Sequence, residues 1–506
     1  MVAHLINPVG AENPSVPNCA AKNMGAAQRR DLAIRVIAGT ESASQAAREH
    51  EVSRKFVGQQ TLKAKQALED AFAPPPNAPE DLLFWLPVTK SWIQQTTLGL
   101  GLTCRGSERG IVQFFADHLN YSISPGTVHN TFTSAVPLAR AQNDAIDLGN
   151  IRDAALDELF QAQRPVLAGV DVASTYCFLL SLEEHRDADT WGVRLLELVD
   201  RGFQPHTTVA DFGTGLRAGV AEALPNVPCR GDVFHAEYDL NKVVRTLENR
   251  AYRAIERRSR LQNKQARQNR RTGPLDGSLT MQATHAQGEE LEALTLAHEV
   301  KLLANWLRHD ILAVAGPCYA DRQTLFDFVV AELRPRLERA DDAGKRCGSL
   351  LANHRDDLLA FADQLDRNLA TLAQQFQVDL SLPRELLQHF TGNPNRPDYW
   401  QREAQFHQRS HGRLHQLKQA LQKLHRQTVR ASSMVENLNG RLRTYFSLRR
   451  HLGSDYLALL RFYLNHRRFP RSDRPERKDK SPRELLTGQE HPHWLELLGY
   501  QRFERN

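Results

Sequence analysis

The chain has 506 residues, more than one hydrophobic core usually serves, so two to four domains are expected. Hydrophobic residues make up 41% and charged residues 25%, and no apolar run approaches the roughly 18 residues of a membrane helix, which excludes a helical membrane protein. The net charge of +6 is clustered between Arg253 and Arg271 and again from Arg461 to Lys480, which suits contact with a polyanion or a solvated helix face. Six scattered cysteines show no zinc or disulfide spacing, and the start lacks a basic-then-apolar leader pattern. A reducing, cytoplasmic setting without membrane attachment follows as the expectation.

In chain order, residues 1–25 are small, polar and aperiodic, the composition of a disordered start. Residues 26–72 divide into three short helical patterns. The last begins after Ser53, a good N-cap, and carries Arg54, Lys55, Gln59 and Lys63. That order matches a DNA-binding helix-turn-helix with its final helix in a major groove, and equally an ordinary three-helix bundle. The Pro-rich run 73–80 reads as a stiff linker. Within 81–150 a helical pattern over 107–118, a turn, and Ser124-Pro125 opening the next helix suggest a second helix-turn-helix-like unit, with Thr127 and His129 early in its last helix.

From residue 160 the period changes. Runs at 166–172 and 176–182 read as a β-hairpin, 191–199 as a helix, 207–212 as a strand, 216–224 as a helix and 229–234 as a further strand. An α/β layer with a mixed sheet is expected over 160–264. Helical patterns then dominate 265–430, one of them expected to stop before Pro335. A helix follows in 431–470, and 471–506 is a basic tail.

Three acids stand out. Asp171 lies within a predicted strand, where an unpaired carboxylate is costly and calls for a metal ion or an arginine. Asp211 ends a later strand before Phe212-Gly-Thr-Gly, where it can also simply stabilise a turn. Glu436 fits a capping box with Ser433, and shares a helix face with Asn439 and Arg443. Three convergent carboxylates would suit hard divalent cations acting on a phosphodiester.

The set Gly169-Val-Asp171, Val209-Ala-Asp211 and Glu436 with Arg443 seven residues on resembles the RNase H-like DDE transposases of bacterial insertion sequences. Cys229-Arg-Gly-Asp-Val-Phe-His235 is similar to the (Cys/Asp)-x-x-His element of members with a helical insertion, with Asp232 and His235 at the matching positions. The resemblance implies a multidomain α/β chain: N-terminal helix-turn-helix domains and an RNase H-like mixed-sheet core interrupted by a large all-α insertion. It implies Asp171, Asp211 and Glu436 as ligands of two Mg²⁺ ions, with Mn²⁺ as a substitute. Asp232, His235 and Arg443 would support them, and Trp306, or less readily Trp400, would stack on a base unless it is core. DNA contacts would fall on Arg54, Lys55, Gln59, Lys63, Thr127, His129, Arg257, Arg258 and Lys264. The implied activity is Mg²⁺-dependent cleavage and 3′-hydroxyl strand transfer at terminal inverted repeats, by a dimer or larger assembly near the nucleoid. The alternatives are a DNA-binding regulator or a nuclease that retains the fold without strand transfer.

Overall fold

The computed structural model describes residues 20–72, 84, 86–272, 277–430, 433–448 and 452–503. The expected disordered start lies outside the described residues up to residue 19, and the linker 73–80 lies outside them entirely. The chain forms two compact units, one ending at Pro87 and the other running from Val88 to Glu504.

The first unit contains α1 (Ala20–Asn23), α2 (Ala26–Ile37), α3 (Ala43–Glu49) and α4 (Arg54–Phe72). Ser42 caps α3 in a reciprocal box with Gln45, and the Ser53 hydroxyl accepts the Phe56 amide at 3.1 Å to open α4. Met24, Leu32, Ala46 and Val57 make its small core. Arg54, Lys55, Gln59 and Lys63 all lie exposed on α4.

The second unit opens with α5 (Lys90–Leu102), α6 (Glu108–Leu119) and α7 (Pro125–Asp144). Ser107 caps α6, Ser124 caps α7 as its sequence suggests, and α7 continues through Pro137 to Asp144. These helices are not a separate domain. Ile111, Phe115, Val128 and Phe132 pack into one core with the sheet and the chain's last helices.

The sheet follows as β1 (Asp153–Gln161), β2 (Arg164–Asp171) and β3 (Cys177–Leu182), then α8 (Ala188–Val199), β4 (Thr207–Ala210), α9 (Thr214–Ala223) and β5 (Cys229–Gly231). Its order is β3-β2-β1-β4-β5, with β1 to β3 antiparallel and β1, β4 and β5 parallel. Central strand β1 begins before residue 160, so the sheet starts earlier than the sequence reading allowed. One face, through Ala154, Leu156 and Leu167, packs on Trp191 and Leu195 of α8 and Val220 of α9.

Next come α10 (Val233–Thr272), α11 (Gly277–Trp306), a π-helical turn at Leu307–Ile311, α12 (Tyr319–Glu338), α13 (Asp342–Asn353), α14 (Arg355–Phe376), α15 (Leu382–Thr391), α16 (Tyr399–Arg409) and α17 (Leu414–Gln427). Helix α10 crosses the boundary expected at 264–265 without a break, and its Val243 and Leu247 share a core with α11 and α12, so the helical region begins at Val233. Helix α12 runs through Pro335 instead of stopping before it; Leu333 and Leu337 on either side are buried, and their packing outweighs the local cost of proline. Buried Arg322 donates to the carbonyls of Ile311, Ala313, Val314 and Pro317, tying the π-helical turn to α12.

The chain returns to the sheet with α18 (Ser433–Leu448) and α19 (Ser454–His466), then α20 (Pro482–Thr487) and α21 (Trp494–Leu497). On the sheet face opposite α8 and α9, Ala155, Leu159, Ala168 and Val170 meet Val435, Leu438 and Leu442 of α18. Asn465 of α19 pairs through its side-chain amide with both Cys177 N (2.8 Å) and Cys177 O (2.9 Å), occupying the edge strand as another strand would. The expected basic tail is packed: Ser481, Glu484 and His491 are buried, and Glu484 takes Arg468 at 2.7 Å.

Helices α8 and α9 meet closely at Gly219, where an added Cβ would lie 2.5 Å from Trp191 Cβ and 2.8 Å from Ala188 O. Gly219→Ala should therefore destabilise by about 1–3 kcal/mol, because backbone has to shift. Gly99→Ala in α5, where an added Cβ meets nothing within 4 Å, should stabilise by up to about 1 kcal/mol. Urea midpoints of the two variants, moving in opposite directions, check this.

Candidate metal centre

Register decides which acids can meet. In the antiparallel β1–β2 pair, Ala154 faces Asp171 and Asp157 faces Ala168, and residues directly opposite share a face. Asp171 therefore belongs to the face of Ala154 and Leu156, and Asp157 to the face of Ala155 and Leu159 that α18 covers. Parallel pairing matches Leu156 with Ala210, so Asp157 and Asp211 are the next residues along adjacent strands. This is the carboxyl edge of β4, where open α/β sheets place ligands.

Asp157, His235 and Glu436 bring one ligand atom each within 4.8 Å of one another. Asp157 is 4% exposed, and both of its oxygens are satisfied: Oδ1 accepts the Glu158 amide at 2.8 Å and Oδ2 accepts Asn439 Nδ2 at 2.6 Å. Glu436 Oε1 lies 3.5 Å from His235 Nε2, and its Oε2 lies 3.9 Å from Arg443. The Ser433 side chain, on which a capping box would depend, lies outside the described residues. Asp211 Oδ1 accepts the Gly213 amide at 3.0 Å, so it holds its turn while standing beside the cluster.

His235 is set by buried Asp232, which accepts from its Nδ1 side at 2.6 Å and from the Phe234 amide at 2.8 Å, opening α10. Burial alone would lower the His235 pKa. The Asp232 hydrogen bond and the charges of Asp232, Asp157 and Asp211 prevail, and the imidazole is pushed up to about 9. Burial raises Asp157 to about 7, with Glu436 and Asp211 adding repulsion and His235 opposing it. A protonated imidazole thus sits among four acidic side chains, of which Asp157 is itself about half neutral near pH 7.

Asp171 stands apart from this cluster. Its Oδ2 accepts from the Ser174 amide at 2.7 Å and from the Ser174 hydroxyl, closing the β2–β3 turn, and burial raises its pKa. It lies three residues along β1 from Asp157, about 10 Å at the rise of a strand. The three-acid set of the sequence reading is therefore corrected at one position: the structure brings Asp157, and not Asp171, to Glu436 and Asp211.

Other expected site residues are dispersed. Trp306, 43% exposed, ends α11, and Trp400, 74% exposed, lies on α16; neither is core. Arg257 and Arg258 pair with Glu289 and Glu290 of α11, while Lys264 is exposed farther along α10. Thr127 and His129 are exposed on the first turns of α7, His129 lying 3.8 Å from Glu108. A cleft of about 950 Å³ adjoins the cluster, with Phe234, Glu237, Arg430, Met434 and Arg474 among its lining.

The donor set fits a hard divalent cation. Two carboxylates, Asp157 and Glu436, converge with His235, Asp211 stands at the end of the adjacent strand, and Asn439 Oδ1 is a buried acceptor with no hydrogen-bond partner. Sequence reasoning missed Asp157 because Asp153–Gln161 is rich in Ala, Leu and Glu, residues that favour helix. The β1–β2 turn uses Ala162 (φ 48°) and Gln163 (φ 73°) where Gly or Asn would have signalled a hairpin. The one available signal was Asn439 on the Glu436 face, a buried amide that needs a polar partner across the sheet.

No family model matches the chain, and no curated protein matches it in sequence. Among solved structures it is similar to a Drosophila P element transposase strand transfer complex, at a TM-score of 0.28 and 12% identity, over 80% of this chain and 98% of that one. At that TM-score the likeness carries no argument, and the functional reading stands on this chain's own geometry.

Asn439→Ala should destabilise the metal-free protein by about 1–3 kcal/mol, by stranding a buried acceptor of Asp157. It should also weaken Mn²⁺ binding by about 10–100-fold in titration calorimetry. The cluster further predicts a pH dependence in chelator. His235 gains its proton on folding, so its contribution is complete below about 6.5 and lost as pH rises through about 9. Thermal midpoints should fall over that range, and His235→Gln should flatten the fall.

Proposed function

We propose that this chain is a divalent-metal-dependent DNA phosphoryl-transfer enzyme of the transposase type, cutting DNA at element ends and joining the 3′-hydroxyl to target DNA. The observation that carries the reading is the convergence of Asp157 and Glu436, 279 residues apart in sequence, beside Asp211 at the carboxyl edge of the sheet. The mixed sheet and its helices on both faces agree with an RNase H-like core.

In this reading Asp157, Asp211 and Glu436 hold two Mg²⁺ ions, which Mn²⁺ can replace. When bound, such ions supply an activated nucleophile and charge stabilisation at the leaving oxygen. Asn439 keeps Asp157 oriented, and Asp232 fixes the His235 ring. His235, 3.5 Å from Glu436, offsets carboxylate repulsion in the metal-free protein. Arg443, 65% exposed and on the same side of α18 as Glu436, is available to the same strand. Asp171 is assigned to the turn it closes. No residue needs to form a covalent bond to DNA.

For the nucleic acid, α4 with Arg54, Lys55, Gln59 and Lys63 is the proposed end-recognition helix, in a helix-turn-helix with α2 and α3. The start of α7, with Thr127 and His129, is proposed to add a second contact. Arg257 and Arg258 are partly committed to α11, so along α10 the exposed Lys264 is the better phosphate contact. The region from α10 to α17 is proposed as the helical insertion, with exposed Trp306 as its base-stacking residue. Two ends must be joined, so a dimer or larger assembly on inverted-repeat DNA is expected, in the cytoplasm at the nucleoid.

The test incubates the purified protein with Mg²⁺ and duplexes carrying the DNA that flanks its gene, resolving nicked and joined products on denaturing gels. Asp157→Asn, Asp211→Asn and Glu436→Gln should abolish both products while leaving duplex binding intact. Asp171→Asn should retain both. Equal loss in Asp171→Asn and retention in Asp157→Asn would reverse the assignment, and wild type without any product would sink the enzyme reading.

A further inference from the structure

A second surface, opposite in charge to the carboxylate cluster, runs along α10. After Glu256 this helix contains no acidic residue up to its end at Thr272, and α11 contributes none before Glu289. Arg253, Arg257, Arg260, Lys264, Arg267 and Arg271 follow one another at steps of four, three, four, three and four residues, and all are exposed. At 100° per residue they fall within about 80° of arc, forming one stripe about 27 Å long at the helical rise. The half-buried residues of the same stretch, Ala254, Ile255, Arg258 and Leu261, lie round the helix from it, on the side where Arg258 pairs with Glu290 of α11.

The stripe is carried on an arm. Glu248 with Lys301 (2.7 Å) and Arg257 with Glu289 (2.5 Å) pair α10 and α11 as an antiparallel hairpin, and the fully buried part of their shared core ends at Ala251 and Ala293. Past those two, Ala286 is the only buried residue among the described residues of the hairpin. Helix α10 runs on for about 30 Å beyond Ala251. Like charges three and four residues apart repel on a helix, and every step along the stripe is of this kind. Acids answer two of its cations, Glu256 meeting Arg260 at 3.1 Å and Glu289 meeting Arg257. Arg253, Lys264, Arg267 and Arg271 have no carboxylate partner among the described residues. Helices elsewhere in the chain mix their signs, as in the Glu332–Arg336 and Asp363–Arg367 pairs one turn apart, which is how a face that meets only water is usually built.

We propose that the α10–α11 hairpin is a DNA-backbone arm, whose cationic stripe lies against the phosphates of a duplex without reading its sequence. Over about 27 Å each strand of a duplex presents roughly eight phosphates, so the whole stripe meets anionic partners at once and its self-repulsion is relieved. Backbone contacts fix position and carry no sequence information, and exposed Arg and Lys make them. His235 stands on the same unbroken helix, about 27 Å before Arg253, so a duplex held by the stripe is held at a set distance from the carboxylate cluster. The occupant rests on the DNA reading above, which the arm deepens by adding Arg253, Arg260, Arg267 and Arg271 to the contact surface.

In the test, the full-length protein, free of divalent cations, is titrated with two duplexes of unrelated random sequence across a salt series. The stripe variant combines Arg253→Gln, Lys264→Gln, Arg267→Gln and Arg271→Gln. A charge-matched control combines Lys345→Gln, Arg346→Gln, Arg396→Gln and Lys423→Gln, all exposed and off the arm. The stripe variant should bind both duplexes more weakly, with a log–log salt slope smaller by about 3 to 4, since each phosphate contact contributes about 0.9. The control should keep the wild-type slope. Arg253→Lys, Arg267→Lys and Arg271→Lys together, with Lys264 in place, should keep it too, which separates lost charge from a disturbed helix. The arm is overturned by equal slopes in wild type and stripe variant, by the same reduction in the control or the Lys variant, or by a reduction on one duplex only. Wild type that binds through the stripe but cuts nothing keeps the arm and removes the enzyme. Wild type that cuts and joins with a slope indifferent to the stripe keeps the enzyme and removes the arm. Wild type that binds neither duplex overturns both.

Discussion

The hydrogen bond from Asn439 to Asp157, 2.6 Å long and spanning 282 residues of sequence, is the contact around which the rest of the second unit is arranged. A carboxylate buried in the middle of a central strand is unfavourable unless a donor reaches it. The donor is on a helix that the chain delivers only after the ten helices α8 to α17. That one bond fixes the rotation of α18 about its axis. With Asn439 turned to the sheet, Glu436 three residues earlier lies over the same strand edge, and Val435, Leu438 and Leu442 enter the core.

The helical region from α10 to α17 is held in a way that preserves this. Helix α10 starts immediately after β5, with Asp232 capping its first turn and holding His235 towards Glu436. At the other end the Arg430 side chain donates to Leu312 O and meets Glu237, and the Val233 amide donates to Arg430 O. The chain therefore leaves and rejoins the sheet at neighbouring points, and nearly 200 residues are inserted without opening the cluster. Arg322, buried among four carbonyls, plays the matching part inside the insertion, where the π-helical turn would otherwise leave acceptors unpaired.

Much of this was legible in the residues. Caps at Ser53 and Ser124 marked helix starts, and the hairpin at Val166 to Leu182 was evident from its β-branched and aromatic runs. Asp211 and Glu436 were singled out from a strand end and a helix start, which leave local signatures, while Asp232 and His235 entered only through the resemblance, the residues 229–234 having read as a strand. Strand β1 was not legible, and with it Asp157. Its composition favours helix, its turn has no Gly or Asn, and it is a strand because β2 and β4 flank it, a fact of tertiary pairing that propensity does not carry. Asp171 drew attention for the right physical reason, a carboxylate buried in a strand, and its compensation is the local Ser174 turn together with the charge of Arg477.

The central claim is that the divalent cation belongs to Asp157, Asp211 and Glu436. Anomalous scattering from crystals grown with Mn²⁺ tests it most directly, because it locates the ion without reference to activity. The account predicts density within bonding distance of Asp157 and Glu436 oxygens at the carboxyl edge of β4, absent in Asp157→Asn. Density beside Asp171, or none at millimolar Mn²⁺, would contradict it.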